Sequence, residues 1–175
     1  MLGPVEFSEQ IMMEKWAEFM TTGPAHRVLD PKVGTWDVQV IMYLPDGSSQ
    51  ASKGTSQIAW IMDGHYLQEQ VQGDFGGMPF HGTGTTAFDN MKQRYVSSWI
   101  DSMGTGIMVA EGAWDPARRT FTYTGEGPDV VRGHYVPVRS VETQLDANHW
   151  KVEMWGPAPS GMEMKSMELK YTRRS

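Results

Sequence analysis

"TWDVQVIMYL" (residues 35–44), followed by "PDGS" (45–48), is the stretch that decides the fold. Its apolar residues stand at every second position, from Trp36 to Met42, and polar residues such as Asp37 stand between them. This period of two is typical of a β-strand with one face in the core. The Pro-Asp-Gly-Ser that follows is typical of a hairpin turn, which predicts an antiparallel partner strand directly after it.

The same pattern continues to the end of the chain, and it predicts about ten strands in all. Short turn signals separate the further segments, at 54–62, 66–75, 80–88, 94–101, 107–115, 120–127, 134–145, 149–156 and 162–172. Connections of a few residues leave no room for crossover helices, so a parallel sheet is excluded. We therefore predict an all-β fold over residues 26–175: a closed antiparallel up-and-down β-barrel of about 8–10 strands.

The first 25 residues follow a different, helical period. In "FSEQIMMEKWAEFM" (7–20), Met12, Trp16 and Phe19 recur at spacings that place them on one helical face. A serine at position 8 fits the N-cap, and "TTGP" at 21–24 ends the helix. We predict that residues 1–25 form an amphipathic helix that packs on the barrel or on a partner subunit, and we expect a homodimer.

Composition excludes several classes of protein. The chain has 175 residues, which suits one domain, and a formal charge of −6 without a basic cluster, which argues against a nucleic-acid partner. It contains no cysteine, so disulfides, thiolate catalysis and cysteine-ligated zinc are excluded. No apolar run is long enough for a membrane span, and the first residues lack a signal-peptide pattern, so we expect a cytoplasmic protein.

Four strings resemble a known family. They are "GTW" (34–36), "MDGHYLQE" (62–69), "PFHGTGTTAFDN" (79–90) and "YVSSWIDSMGTGI" (95–107). The Gly-x-Trp resembles the signature of the calycin superfamily of lipocalins, fatty-acid-binding proteins and nitrobindins. The strings together are similar to the calycin-like bacterial domain-of-unknown-function family 1579. The resemblance implies a barrel, but the family has no agreed catalytic residues that could be assigned to positions of this sequence. In lipocalins, a basic side chain of a late strand covers this tryptophan at the closed end, which implies Arg139 or Arg173 over Trp36.

Alternation also predicts which residues face the interior of the barrel and contact a ligand there. We expect an apolar lining with a few polar anchors. The predicted ligand-binding residues are Trp36, Val38, Trp60, Leu67, Glu69, His81, Trp99, Asp101 and Met103. A carboxylate in a partly dry pocket acts as an acid or base when its pKa is raised, so the candidate catalytic residues are Glu69, Asp101 and His65. An inward Glu69 needs a partner, and the candidates are His65, His81, Arg94 and Arg139.

Two glycine-containing strings receive structural interpretations. Gly104 and Gly106, in "SMGTG", are predicted to supply the positive φ angles of a hairpin turn. The "GTGTTA" string at 82–87 lacks the following helix that a nucleotide-binding loop requires, so its small residues are predicted to let another group pack closely on a strand.

Several functions stay open at this stage. The first is the binding of a small apolar or amphipathic molecule in the barrel cavity. The second is a barrel enzyme that performs acid–base chemistry, of the isomerase or cyclase type, on a lipophilic molecule. The third is a haem-binding, nitrobindin-like protein, with His134 or His149 as the axial ligand. In the fourth, side chains fill the barrel and the helix drives self-association. No metal site is predicted because the five histidines lack metal-ligand spacing, and no cofactor other than the haem alternative is expected.

Overall fold

The structure, a computed structural model that describes residues 3, 5 and 7–175, is a closed ten-stranded barrel. Each strand is antiparallel to the next one along the chain, and the last strand pairs with the first. The strands are β1 (Gly34–Tyr43), β2 (Ser49–Ile61), β3 (Tyr66–Phe75), β4 (Met78–Asp89), β5 (Arg94–Asp101), β6 (Met108–Asp115), β7 (Thr120–Asp129), β8 (His134–Gln144), β9 (His149–Pro157) and β10 (Glu163–Arg173). The predicted closed up-and-down barrel is confirmed.

β2 is longer than its sequence pattern indicates. It begins at Ser49, five residues before the predicted start at position 54. The added residues are mostly polar and carry no apolar alternation, but they pair with the second half of β1, from Tyr43↔Ser49 to Gln39↔Lys53. Hydrogen bonding to a neighbouring strand therefore extends β2 where its own side chains give no signal.

The N-terminal helix α1 (Glu9–Met20) begins where the sequence predicts. The Ser8 hydroxyl accepts the backbone N–H of Ile11 at 3.2 Å, and the helix ends at Thr21. Its C-terminal end contacts the barrel, because the Asn90 side chain in the β4–β5 turn donates to the carbonyls of Glu18, Phe19 and Thr21. No side chain of α1 is buried, so its apolar stripe is exposed along its length. The homodimer expected from that stripe stays a prediction.

A short segment that the sequence did not predict as structured covers one end of the barrel, which we call the closed end. It contains helix α2 (Pro24–Arg27) and a 3-10 turn (Asp30–Lys32). Leu29 between them is completely buried. The Tyr95 hydroxyl donates to the Ala25 carbonyl at 2.8 Å, which fastens the segment to β5.

The hydrophobic core lies at this closed end rather than along the whole barrel. Its members come from the strand ends nearest to α2, and they include Trp36 at the start of β1 and Phe121 at the start of β7, both completely buried. The Arg173 guanidinium lies 4.1 Å from the centre of the Trp36 ring, as the lipocalin resemblance implied for one of two arginines. The other, Arg139, occupies an outward position on β8, where it lies over Trp155.

Among the described residues, no helix combines the length and the apolar character that crossing a membrane requires.

Candidate functional site

The half of the barrel away from α2 is hollow. It contains a cavity of about 450 Å³, a size common in small-molecule sites. The cavity exists because small residues occupy many inward positions at this level of the strands, and a ten-stranded barrel leaves free space wherever large side chains do not fill it. These small lining residues are Ser52, Gly54, Gly73, Gly84, Thr86, Ser97, Ala110 and Ser140.

The side walls of the cavity are mainly apolar. Valine, leucine and methionine side chains of six strands and of the β5–β6 connection contribute to them, with aromatic rings towards the open end. The lining residues of this kind are Val38, Val40, Val71, Phe75, Phe80, Trp99, Met103, Met108, Val138, Val152, Met154, Met167 and Leu169. A surface rich in methionine adapts to ligands of different shapes.

A polar cluster, which we call the floor, separates the cavity from the closed-end core. It consists of Lys32, Glu69, Tyr123, Glu142 and Tyr171, all of which line the cavity. The Lys32 ammonium donates to the Glu142 carboxylate, and both side chains are less than one fifth exposed. The floor therefore contains one internal ion pair and a second carboxylate, that of Glu69.

The two oxygens of the Glu69 carboxylate differ in their hydrogen bonds, since one accepts two of them and the other accepts none from the described residues. Oε1 accepts hydrogen bonds from the Ser56 hydroxyl at 2.6 Å and from the Tyr171 hydroxyl at 3.0 Å. Oε2 accepts no hydrogen bond from any residue that the structure describes. Burial raises the pKa of the Glu69 carboxyl, and the nearby Lys32 ammonium and the two hydroxyl donors only partly oppose this effect. None of the predicted partners (His65, His81, Arg94, Arg139) bonds to Glu69; two hydroxyl groups do so instead.

The raised pKa of Glu69 predicts a pH-dependent stability. A carboxyl whose pKa is higher in the folded state stabilises the protein below the pKa of the unfolded state, about 4.3, and this contribution is lost as pH rises through the folded-state pKa. Glu69→Gln keeps an oxygen that accepts from Ser56 and Tyr171 but cannot ionise. We therefore expect the variant to melt at a higher temperature than the wild type at pH 8, with the difference vanishing near pH 4.

Thermal unfolding monitored by circular dichroism at the two pH values checks this prediction. The control is Glu111→Gln, which removes a half-exposed carboxylate on the outer face of β6 and should change the melting temperature little. A Glu69→Gln variant that melts below the wild type at pH 8 would contradict the account.

Two buried polar atoms near the floor lack a hydrogen-bond partner among the described residues: the Tyr123 hydroxyl and the Trp150 indole N–H. Trp150 borders a second cavity of about 20 Å³ between the floor and Trp36. That space is large enough for one water molecule, which could accept from the indole and donate to a carboxylate of the floor. Tyr123 borders the large cavity instead, and burial raises the pKa of its hydroxyl, which keeps it protonated.

Trp99 and Asp101 lie on β5 near the open end. The Trp99 indole N–H donates to Asp101 Oδ2 at 2.7 Å, and the backbone N–H of Met103 donates to Oδ1 at 2.9 Å. The indole lies flat against Gly82 and Gly84 of β4, since a Cβ on Gly82 would stand 2.3 Å from the ring. The predicted close packing on the "GTGTTA" strand is thus confirmed, and the Trp99 ring is the group that packs there.

The glycines of "SMGTG" do not have the backbone conformation that was predicted for them. Neither Gly104 nor Gly106 has a positive φ angle, so the prediction was wrong. A Cβ on Gly106 would stand 2.0 Å from the Tyr135 hydroxyl. Gly106 therefore lies against the end of an exposed tyrosine side chain, which could move aside for a larger residue.

The structure places five of the nine predicted ligand-binding residues on the cavity and four elsewhere. Those on the cavity are Val38, Glu69, Trp99, Asp101 and Met103.

The other four predicted residues lie away from the cavity for two different reasons. Trp36 and Leu67 face inward but belong to the closed-end core, below the floor. Trp60, at the end of β2, points to the α2 segment, where its indole donates to Asp30. His81 occupies an outward position on β4 and is exposed.

The three candidate catalytic residues do not converge on one site. His65 lies outside the barrel, where its Nε2 is 2.8 Å from the Met20 carbonyl oxygen. Glu69 belongs to the floor, whereas Asp101 is nearer the open end, with its oxygens engaged by Trp99 and Met103. Paired carboxylates for acid–base chemistry are therefore not assembled from these residues.

The described residues also offer no cluster of three or more histidine, aspartate or glutamate side chains that could hold a metal ion. His134 and His149, the candidate haem ligands, lie at the exposed starts of β8 and β9, and no histidine lines the cavity. The residues present thus do not fit the predicted axial ligation of a haem in the barrel.

Sequence reasoning missed most of the floor. Glu142 and Tyr171 lie on strands that were predicted, and their inward direction follows from alternation with Ser140 and Leu169. Lys32 had no such signal, because it reaches the interior from a 3-10 turn before the first strand.

Comparisons with known proteins agree with this architecture. The crystal structure of Rv2717c from M. tuberculosis is similar with a TM-score of 0.62 and 14% identity, over 89% of this chain and 100% of that chain. The S-type phycobiliprotein lyase CPES from Guillardia theta is similar with a TM-score of 0.60 and 8% identity, over 91% of this chain and 97% of that chain. At these identities the likeness shows the fold alone. No curated protein matches the sequence.

Residues 21–173 match the family described as "Protein of unknown function (DUF1579)". Because this match spans nearly the whole barrel, the chain belongs to the DUF1579 family.

Proposed function

We propose that this protein binds a small apolar or amphipathic molecule inside its barrel. The observation that carries the proposal is the cavity itself, which has apolar walls and a polar floor. Burial of an apolar ligand surface against such walls is favourable, and a few polar groups at one end fix the orientation of the ligand. The barrel fold that the chain shares with a phycobiliprotein lyase is consistent with this function.

The arrangement of the polar groups favours binding over catalysis. Glu69 is the carboxylate with a free oxygen on the floor, while Asp101 is bonded to its own strand end and Glu142 is paired with Lys32. The Tyr123 hydroxyl also lacks a partner within the described part of the chain but is itself buried, so Glu69 is left as the anchor for a ligand, whereas acid–base catalysis of an isomerisation needs a second group within hydrogen-bond reach of the reacting atoms. The best-supported function is therefore that of a carrier or sensor of a lipophilic molecule.

Filling the cavity should weaken this binding. Ala110 on β6 faces the cavity, so Ala110→Phe places a ring in the space that a ligand needs. We expect the dissociation constant of the neutral dye Nile red, measured by fluorescence titration, to rise roughly tenfold or more, which corresponds to a loss of about 1.4 kcal/mol of binding free energy.

The matched control is Ala113→Phe, three residues further along the same strand. Ala113 is exposed and pairs with Thr122 on the outer face, so its replacement should leave the dye affinity unchanged. Circular dichroism of both variants verifies that each one is folded. Equal affinities in the folded Ala110→Phe protein and the wild type would show that the dye binds elsewhere, and failure of the wild type to bind any dye would count against the proposed function.

A further inference from the structure

The ionisable side chains that face the cavity are predominantly acidic. Register places Glu69, Asp101 and Glu142 on inward positions of their strands, and all three line the cavity. Lys32 is the basic residue among them, and its ammonium is bonded to Glu142. With all four groups ionised, the interior would carry two more negative charges than positive ones.

The other basic residues at the edge of the cavity do not compensate for this excess. Lys53 and Arg139 border the cavity, but both occupy outward positions, on β2 and β8 respectively. The Arg139 guanidinium is bonded to Glu163 at 2.9 and 3.1 Å, outside the barrel. Among the described residues, therefore, the interior presents no basic group that is free to neutralise a ligand carboxylate.

Resting on the proposed function, we propose that the cavity selects lipophilic molecules with a cationic head group, such as a primary ammonium, and that Glu69 Oε2 is their anchor. Glu69 borders the cavity, its Oε2 accepts no hydrogen bond from a described residue, and an ammonium carries three donors and a compensating charge. A fatty-acid carboxylate at the same position would meet the like charge of Glu69 in a medium of low dielectric constant, since the charge of Glu142 is already compensated by Lys32. A neutral alcohol could donate to Oε2 but would leave the charge of Glu69 uncompensated.

The apolar part of such a ligand would extend from the floor towards the open end. Val71 and Val152 border the first part of this path, and Phe75, Phe80 and Trp99 border its outer part. The path suits an alkyl chain, because its walls are contributed mainly by apolar or small residues.

The proposed selectivity for amines should depend on pH, because Glu69 itself exchanges a proton. An ammonium binds the ionised form of Glu69, and burial in the free protein favours the neutral form. Ligand binding therefore competes with the proton on Glu69, so affinity for an amine should increase as pH rises through the pKa of Glu69. The other charged groups on the floor, Lys32 and Glu142, are paired with each other, which makes Glu69 the group that dominates this dependence.

Three probes with the same alkyl chain test the proposal: decylamine, decanol and decanoate. Decylamine and decanoate are used below their critical micelle concentrations and decanol below its solubility limit, each to displace Nile red from the wild type at pH 8. We expect decylamine to bind about tenfold more tightly than decanol, as one charge-assisted hydrogen bond in a buried site allows, and decanoate to bind most weakly. Lowering the pH to 5 should weaken decylamine relative to decanol.

Two variants assign the effect to Glu69. In Glu69→Gln, the ratio of the decylamine affinity to the decanol affinity should fall from about ten to about one, because the amide carries no charge to pair with the ammonium. Glu111→Gln removes a carboxylate of the outer face and should keep the full preference for the amine.

The failures of the two proposals are distinguishable. If Nile red binds and decanol or decanoate displaces it as well as decylamine does, or if none of the three probes displaces it, the cationic selectivity is wrong and the binding cavity stands. If the amine preference persists in Glu69→Gln, Glu69 is not the anchor and the inference fails. If neither Nile red nor any probe binds, the proposed function itself is contradicted.

Discussion

Trp36→Ala should lower the free energy of unfolding by about 3–5 kcal/mol, the range found when a large buried aromatic residue is truncated. The side chain is completely buried at the closed end. The Arg173 guanidinium covers one side of the ring at 4.1 Å, and the indole N–H donates to the Lys32 carbonyl at 2.9 Å. Truncation would therefore leave a cavity, an uncovered guanidinium and an unpaired carbonyl group together.

The position of Lys32 connects this residue to the binding site. Trp36 holds the backbone of Lys32, whose side chain contributes the ammonium of the floor. Trp36→Phe keeps an apolar ring and removes the donor, so its expected cost is smaller, about 1–2 kcal/mol.

The control for Trp36→Ala is Trp16→Ala on α1. Trp16 is 55% exposed, and its loss should change the free energy of unfolding by about 0.5 kcal/mol or less. Urea unfolding monitored by circular dichroism measures all three variants. If Trp36→Ala and Trp16→Ala lowered the free energy of unfolding equally, the placement of the core at the closed end would be contradicted.

Phe121→Ala is the second substitution with a large expected effect, again about 3–5 kcal/mol. Phe121 is completely buried, and its ring centre lies 4.5 Å from that of Trp114 and 4.9 Å from that of Tyr95. Both dispersion contacts and these edge and tilted ring pairs would be lost.

The same substitution at the open end should have a much smaller effect. Phe75 on β3 lines the hollow half, where its nearest ring, that of Phe80, lies 6.4 Å away. Because the Phe75 ring already borders open space, Phe75→Ala should cost about 1 kcal/mol or less. Urea unfolding of Phe121→Ala and Phe75→Ala therefore compares the filled and the hollow halves of one barrel. A larger loss of unfolding free energy in Phe75→Ala than in Phe121→Ala would contradict the placement of the packed core at the closed end.

Most of the fold could be predicted from the sequence, because antiparallel strands with one buried face show alternating apolar and polar residues. The bounds of β3 and β5 agree with the predicted segments, and the hairpin after β1 is marked by Pro45, Asp46 and Gly47. The start of β2 shows no such alternation, because the mostly polar residues there are held in the sheet by backbone hydrogen bonds to β1. The short helix α2 was missed because four residues give too little periodicity to detect.

The site could be predicted only in part, because alternation indicates the face of a strand but not the depth of a residue in the barrel. Trp36 and Val38 share one face of β1 and both belong to the buried core, yet only Val38 also borders the large cavity. Depth depends on the cover formed by α2 and Leu29, which packs on one end only. The floor could not be predicted for the same reason, because it forms where side chains of strands that are distant in sequence meet Lys32.

The most direct test of the central claim is a nuclear magnetic resonance measurement of contacts between bound Nile red and isotope-labelled methionine methyl groups. The account predicts nuclear Overhauser effects from the dye to methionines of the cavity wall, among them Met108, Met154 and Met167. It predicts none to the methionines on the exterior, such as Met13, Met62 and Met91, which are 64%, 69% and 78% exposed. Contacts confined to the exterior methionines would contradict the claim that the barrel encloses the ligand.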